Sequence, residues 1–165
     1  MWDIVFALLK DGLLAAVAAV GFSVISDPPK RTISSAALLA AIGHATRYSL
    51  QHFADADLLI ASFLGALVIG FCCIGLSAWL HCPTTVLCIP ALLPMIPGIY
   101  AYKTIFAITQ FIHNAGDSDD AMRYMLEVFS NGIITFATVF ALVVGVTIPT
   151  LLLRKWSFQM TRQKR

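Results

Sequence analysis

The segment Ile89-Pro90-Ala91-Leu92-Leu93-Pro94-Met95-Ile96-Pro97-Gly98-Ile99-Tyr100-Ala101-Tyr102-Lys103 decides how this chain is read. Three prolines and a glycine between Pro90 and Gly98 remove amide donors and bar a regular helix, yet apolar sequence continues on both sides. A break inside a long apolar run leaves main-chain carbonyls that need partners where no water reaches them. Many transporters build a substrate site from helices interrupted near mid-bilayer, because half-helix ends present main-chain dipoles to ligands. Pro97-Gly98 would open a second half-helix, whose amide end favours a carboxylate. A re-entrant hairpin and a simple kink are the competing readings.

Composition sets the same scene. Of 165 residues 59% are apolar and only 12% charged, half the usual charged fraction of about 25%, so a water-soluble globule is excluded. The mean hydropathy of +0.83 agrees. A span takes roughly 20 apolar residues, and five of them leave no room for a soluble catalytic domain. A net charge of +2 with no basic, aromatic-interleaved stripe excludes nucleic acid as a partner. The four cysteines read as small apolar filler: Cys72 and Cys73 are adjacent in an apolar run, while Cys82 and Cys88 flank a short loop. A metal site at His81, Cys82 and Cys88 would lack a regularly spaced fourth ligand. No phosphate-cradling glycine loop is present, and no cofactor is expected.

The fold class expected is all-α: a single integral-membrane domain, 1–165, of five transmembrane helices with a proline-broken fourth. Spans fall near Ile4–Ser26, Thr32–Gln51, Leu58–Leu80, Thr85–Ile112 and Tyr124–Leu153, followed by a basic tail, 154–165. The N-terminal stretch has Asp3 and no basic leader ahead of a full-length apolar run, so it reads as a retained helix. Asp27-Pro28-Pro29-Lys30-Arg31 is a turn, because two prolines cannot continue a helix. Further loops are read at Gln51–Asp57, at His81-Cys82-Pro83 and at His113–Asp120. Lys30, Arg31 and the bases of the tail fall on one side of a five-span layout. The positive-inside rule then puts the N-terminus outside and the C-terminus in the cytoplasm.

Ionisable groups within spans are costly and are therefore functional candidates. Lys10 and Asp11 lie in the first span, His44 and Arg47 in the second, Lys103 in the fourth and Glu127 at the start of the fifth. Counted at about 1.5 Å per residue, all sit at one level roughly 5–15 Å below the outer boundary. The surplus positive charge suits a carboxylate ligand. His44 and Arg47 are spaced i, i+3, share a helix face and can meet one ligand. The bland alternatives are snorkelling of Lys10, Asp11 and Arg47 to the interface, and Glu127 acting only as charge partner to Arg47 or Lys103. Ser62, Ala66 and Gly70 make a small-xxx-small face, read first as intrachain packing and second as a subunit contact.

Ala41-Ile42-Gly43-His44-Ala45-Thr46-Arg47, followed about fifty residues later by Ile89 through Tyr102, resembles the small half of the threonine/serine exporter family over nearly the whole chain. The resemblance implies an inner-membrane export protein, fused in some members into ten spans and split in others between two chains. This chain would be the shorter, C-terminal-like component of a hetero-oligomer whose partner is the larger membrane half. It further implies export of threonine and serine, energised by the membrane potential or proton gradient. Gly43, His44, Arg47, Pro94, Pro97, Gly98 and Tyr100 match as motif positions; Lys103 does not belong to the motif. The candidate substrate-binding residues are therefore His44, Arg47, Pro94, Pro97, Gly98, Tyr100, Tyr102 and Lys103, with Glu127 as a charge partner.

Two other classes compete. A structural subunit would stabilise the larger partner without touching substrate. An intramembrane enzyme would need a nucleophile, base and orienter, and no such set or G-x-S-x-G elbow is present, so the chain is not expected to be an enzyme.

Overall fold

The computed structural model of the chain describes residues 2–114 and 118–153. The expected basic tail and the centre of the His113–Asp120 loop lie outside the described residues. Every regular element among the described residues is helical: α1 Trp2–Ile25, α2 Lys30–Phe53, α3 Leu58–Leu80, α4 Thr84–Leu92, a 3-10 turn Leu93–Met95, α5 Gly98–His113 and α6 Ser118–Leu152. The chain divides into two compact units, one of Met1–Met95 with Ala141–Arg165 and one of Ile96–Phe140.

In the first unit, short connections make successive helices antiparallel neighbours. Each of the three connections turns on one residue with left-handed backbone: Asp27 (φ 45°), Asp55 (φ 45°) and His81 (φ 52°). Aspartate and histidine tolerate this region better than apolar residues do, so these loop residues fix where each helix stops. α2 is the hub, touching α1, α3, α4 and the 3-10 turn.

Packing in this unit reverses the order of a soluble protein. The buried set is dominated by small side chains such as Ala15, Ala19, Ala36, Ala40, Ala61, Ala66, Cys73 and Ala91. Large apolar residues point outward, with Phe6 72% exposed and Trp79 73% exposed. In lipid nothing drives large apolar side chains inward, and small residues win the interfaces because they let backbones approach. The small-residue face of α3 is spent inside the chain: a β-carbon built at Gly70 lies 2.9 Å from the Val146 carbonyl, and one at Gly145 lies 2.6 Å from that of Phe63. Three of the four cysteines are buried and all four thiols are free. Burial pushes the Cys82 thiol upward, against the pull of Arg31, which suits an inert filler. No group of metal-ligating side chains occurs among the described residues.

Three helices are long and apolar enough to cross a bilayer: Ile4–Ile25, Leu58–Leu80 and Asp119–Leu152; α4 with the 3-10 turn and α5 makes a fourth if the pair is one span. The five expected spans are thus three or four by length and composition. The difference lies in α2, whose Lys30, Arg31, His44, Arg47, Tyr48, Gln51 and His52 make it too polar on average. α6 also departs from expectation. It begins at Ser118 and runs 35 residues, about 50 Å at 1.5 Å each, which exceeds a hydrocarbon core of about 30 Å. In the second unit, α5 approaches α6 where Gly132 faces Thr104.

Gly145→Ala should lower stability by about 1–3 kcal/mol, because its new methyl would press on a backbone carbonyl that cannot yield. Gly75→Ala, with nothing within 4 Å of the added carbon, should be neutral or gain about 0.5–1 kcal/mol. Thermal unfolding midpoints of the two variants in detergent check this contrast.

Candidate functional site

The site grows from the way α2 meets its neighbours. The α1–α2 register is set where Gly12 lies against Ala41: a β-carbon built at Gly12 would sit 3.5 Å from the Ala41 carbonyl oxygen. That approach carries Asp11 to the face of α2 that bears His44, and the Asp11 Oδ2 to His44 Nδ1 distance is 3.0 Å. On the other side, a β-carbon built at Gly65 of α3 would lie 3.0 Å from the Gly43 carbonyl and 2.8 Å from the Met95 Cε, and one at Gly43 would collide with Ile69. The two glycines bring α2, α3 and the 3-10 turn together around one point.

Arg47 completes the cluster. Its Nη1 donates to the Met95 carbonyl at 3.0 Å, and its Nη2 stands 3.3 Å from His44 Nδ1. The Met95 carbonyl needs that donor because the helix ladder stops there. Pro97 takes φ −77° and ψ 69°, the inverse γ-turn geometry, and Gly98 N–H closes the turn on the Ile96 carbonyl at 2.8 Å. α5 then starts at Gly98, its first bonds running from the Tyr100 and Ala101 amides to the Pro97 carbonyl.

The electrostatics close locally. Asp11 carries one negative charge, Arg47 one positive, and the His44 ring lies between them with the residue only 6% exposed. Asp11 keeps 37% of its side chain exposed. An apolar groove of about 370 Å³ lies beside the cluster on the α1–α2 seam, lined by Leu9, Gly12, Leu13, Ala16, Ala41 and Ala45 among others. A guanidinium bound to a single main-chain carbonyl retains donors for a carboxylate, and a buried imidazole beside it offers a hydrogen-bonding ring edge.

The expected site residues divide between the two units. His44, Arg47 and Pro94 belong to the first, where Pro94 lies in the 3-10 turn next to Met95. Pro97, Gly98, Tyr100, Tyr102 and Lys103 belong to the second. There Pro97 is buried and Tyr100 half-buried, while Gly98, Tyr102 and Lys103 are exposed; Tyr102 stacks on Phe106. Glu127 pairs with Arg123, one turn before it on α6, at 3.7 Å. Asp11 is the residue of this cluster that the sequence reading left as a snorkelling candidate. The signal was available in its helical face, since Asp11 stands four residues before Ala15 and eight before Ala19, both buried.

A small-residue interior, an apolar exterior and a compensated charge cluster at a helix break define an all-helical membrane protein. A family model described as Threonine/Serine exporter, ThrE, matches residues 11–152, and the chain belongs to that threonine/serine exporter family. An uncharacterized protein of Haemophilus influenzae is 37% identical over 145 residues, which is 88% of this chain and 47% of that protein. The chain spans about half the length of this relative. No solved structure matches.

Arg47→Gln should cost about 1–3 kcal/mol, since it strips the buried Met95 carbonyl of its donor. Arg123→Gln, which loosens only an exposed pair, should change stability by less than about 1 kcal/mol. Unfolding of both variants in detergent, followed by helix content, measures the difference.

Proposed function

We propose that this chain is the smaller membrane component of a two-component secondary exporter of small carboxylate-bearing metabolites, threonine and serine foremost, in the bacterial inner membrane. The observation that carries the reading is Arg47, a guanidinium on α2 turned toward the interior of its unit and bonded to a carbonyl at a proline-made break. Family membership supports export. The Haemophilus influenzae relative is about twice as long as the matched stretch, which supports a second half of the transporter beyond the part matched here.

In this reading five segments cross the membrane, with the N-terminus outside and the C-terminus cytoplasmic. α2 is admissible as a span because His44 and Arg47 meet Asp11 and the Met95 carbonyl rather than lipid. Average polarity overstates the cost of a helix whose polar groups pair with other helices. Arg47 holds the carboxylate, beside Pro94 of the 3-10 turn in the same unit. His44 takes up and releases a proton during the cycle, since imidazole titrates near neutrality.

Cells preloaded with labelled threonine or serine and expressing both components should release it faster than cells with either one alone; equal rates overturn the proposal. Arg47→Gln should lower efflux about tenfold to a hundredfold, the worth of one charge-assisted contact, while the complex still co-purifies. Efflux that falls only in proportion to lost complex would make the chain a structural subunit.

A further inference from the structure

A second cavity lies at the other end of α2 from the Asp11–His44–Arg47 cluster. It encloses about 320 Å³ between the α1–α2 turn, 26–29, and Thr85, Val86, Ile89 and Pro90 of α4. Lys30, where α2 begins, is about 25 Å along the helix from Arg47 at roughly 1.5 Å per residue. Asp27, Thr85 and Ile89 are exposed, so the cavity opens to the surroundings. All of these residues belong to the first unit.

The level of the cavity follows from two helices. The membrane-length apolar stretches Ile4–Ile25 and Leu58–Leu80 end on the same side of an antiparallel arrangement, the first just before the turn and the second just before α4. In a bilayer such helix ends lie at the headgroup layer. The cavity is polar toward those ends and apolar along Val86, Ile89 and Pro90.

Three charges stand at this level. Asp27 lines the cavity, and its left-handed backbone (φ 45°) sets it outside either helix. Lys30 and Arg31 follow in the first turn of α2. None of the three is in an ion pair among the described residues. Arg31 acts electrostatically on the Cys82 thiol, which places its guanidinium near the connection from which α4 starts. α2 and α4 each begin after a proline that provides no side-chain cap, so two helix amide ends add positive potential here. Cations beside a carboxylate, above an apolar wall, match a molecule that carries both charges and a hydrocarbon chain.

We infer that this cavity binds a zwitterionic phospholipid with a primary ammonium, of the phosphatidylethanolamine type. The ammonium pairs with Asp27, the phosphate with Lys30 and Arg31, and the upper acyl chain lies on Val86, Ile89 and Pro90. An anionic lipid lacking the ammonium leaves Asp27 unpaired beside its own charge. A choline headgroup has the charge but no N–H to donate. Basic pockets between transmembrane helices hold lipid headgroups in general, and the carboxylate makes this one selective. The site is independent of Arg47 and of any exported substrate.

The test is lipid retention by the full chain, purified in detergent, titrated with phosphatidylethanolamine, phosphatidylglycerol or phosphatidylcholine, and read by native mass spectrometry. Phosphatidylethanolamine should be retained best. Asp27→Asn, which keeps a residue tolerant of left-handed backbone, should lower its retention about twofold to fivefold, the worth of one exposed ion pair, and bring it to the level of phosphatidylglycerol. Arg31→Gln should weaken retention of all three lipids, since each carries the phosphate. Equal retention of the three by the wild-type chain overturns the inference, as does an ethanolamine preference that survives Asp27→Asn. Should Asp27→Asn fail to fold, Ile89→Trp decides by filling the apolar wall: unchanged retention of phosphatidylethanolamine rejects the site. Glycerophosphoethanolamine, the same headgroup without acyl chains, should not displace the lipid at equal concentration. Displacement would assign the cavity to a soluble phosphate ester and overturn the lipid reading.

Discussion

A charge packed among apolar side chains must find its opposite or a carbonyl, and the first unit is organised by that requirement. Asp11 lies 3.0 Å from His44 Nδ1, and Arg47, 3.3 Å from the same nitrogen, bonds the Met95 carbonyl. Removing Arg47 would leave the Met95 carbonyl without the donor it has here. Three separate elements, α1, α2 and the 3-10 turn, are tied together through side chains of a single helix face. The small residues around them, Gly12, Gly43 and Gly65, exist at the points where backbones must approach for those ties to form.

The most polar helix is accordingly the most central one. α2 would be a poor membrane segment if judged alone, yet it contacts α1, α3, α4 and the 3-10 turn. Its buried face reads Thr32, Ala36, Leu39, Ala40, Gly43 and His44, an alternation of small, apolar and functional side chains. The outer helices supply the lipid-facing bulk, as the exposed phenylalanines and leucines of α1 and α6 show.

Much of this was legible in the residues. The prolines of the fourth segment, the turn at Asp27, the shared face of His44 and Arg47 and the close-packing face of Ser62, Ala66 and Gly70 all follow from local chemistry. Other features needed a third dimension. Adjacent Lys10 and Asp11 give no hint which of them turns inward, because the choice depends on the register of α1 against α2. The polarity of α2 keeps it from counting as a span by composition, while its partners show where that polarity is used. Glu127 is different: Arg123 stands four residues ahead of it, and the i, i+4 rule would have found that pair before any distant partner. α6 extends further than expected because its polar first turns continue the helix instead of ending it.

The hydrogen bond on the Met95 carbonyl comes from the tip of a side chain, not from the next turn of a helix. A ladder bond can be released only by unwinding backbone, but a guanidinium can swing on its own torsions while both helices keep their shape. That freedom has a strict condition at a buried carbonyl, because a bare carbonyl dipole out of water is unfavourable by several kcal/mol. Any departure of Arg47 has to be simultaneous with the arrival of another donor at Met95, so the junction behaves as an exchange point whose two occupants trade places in one motion.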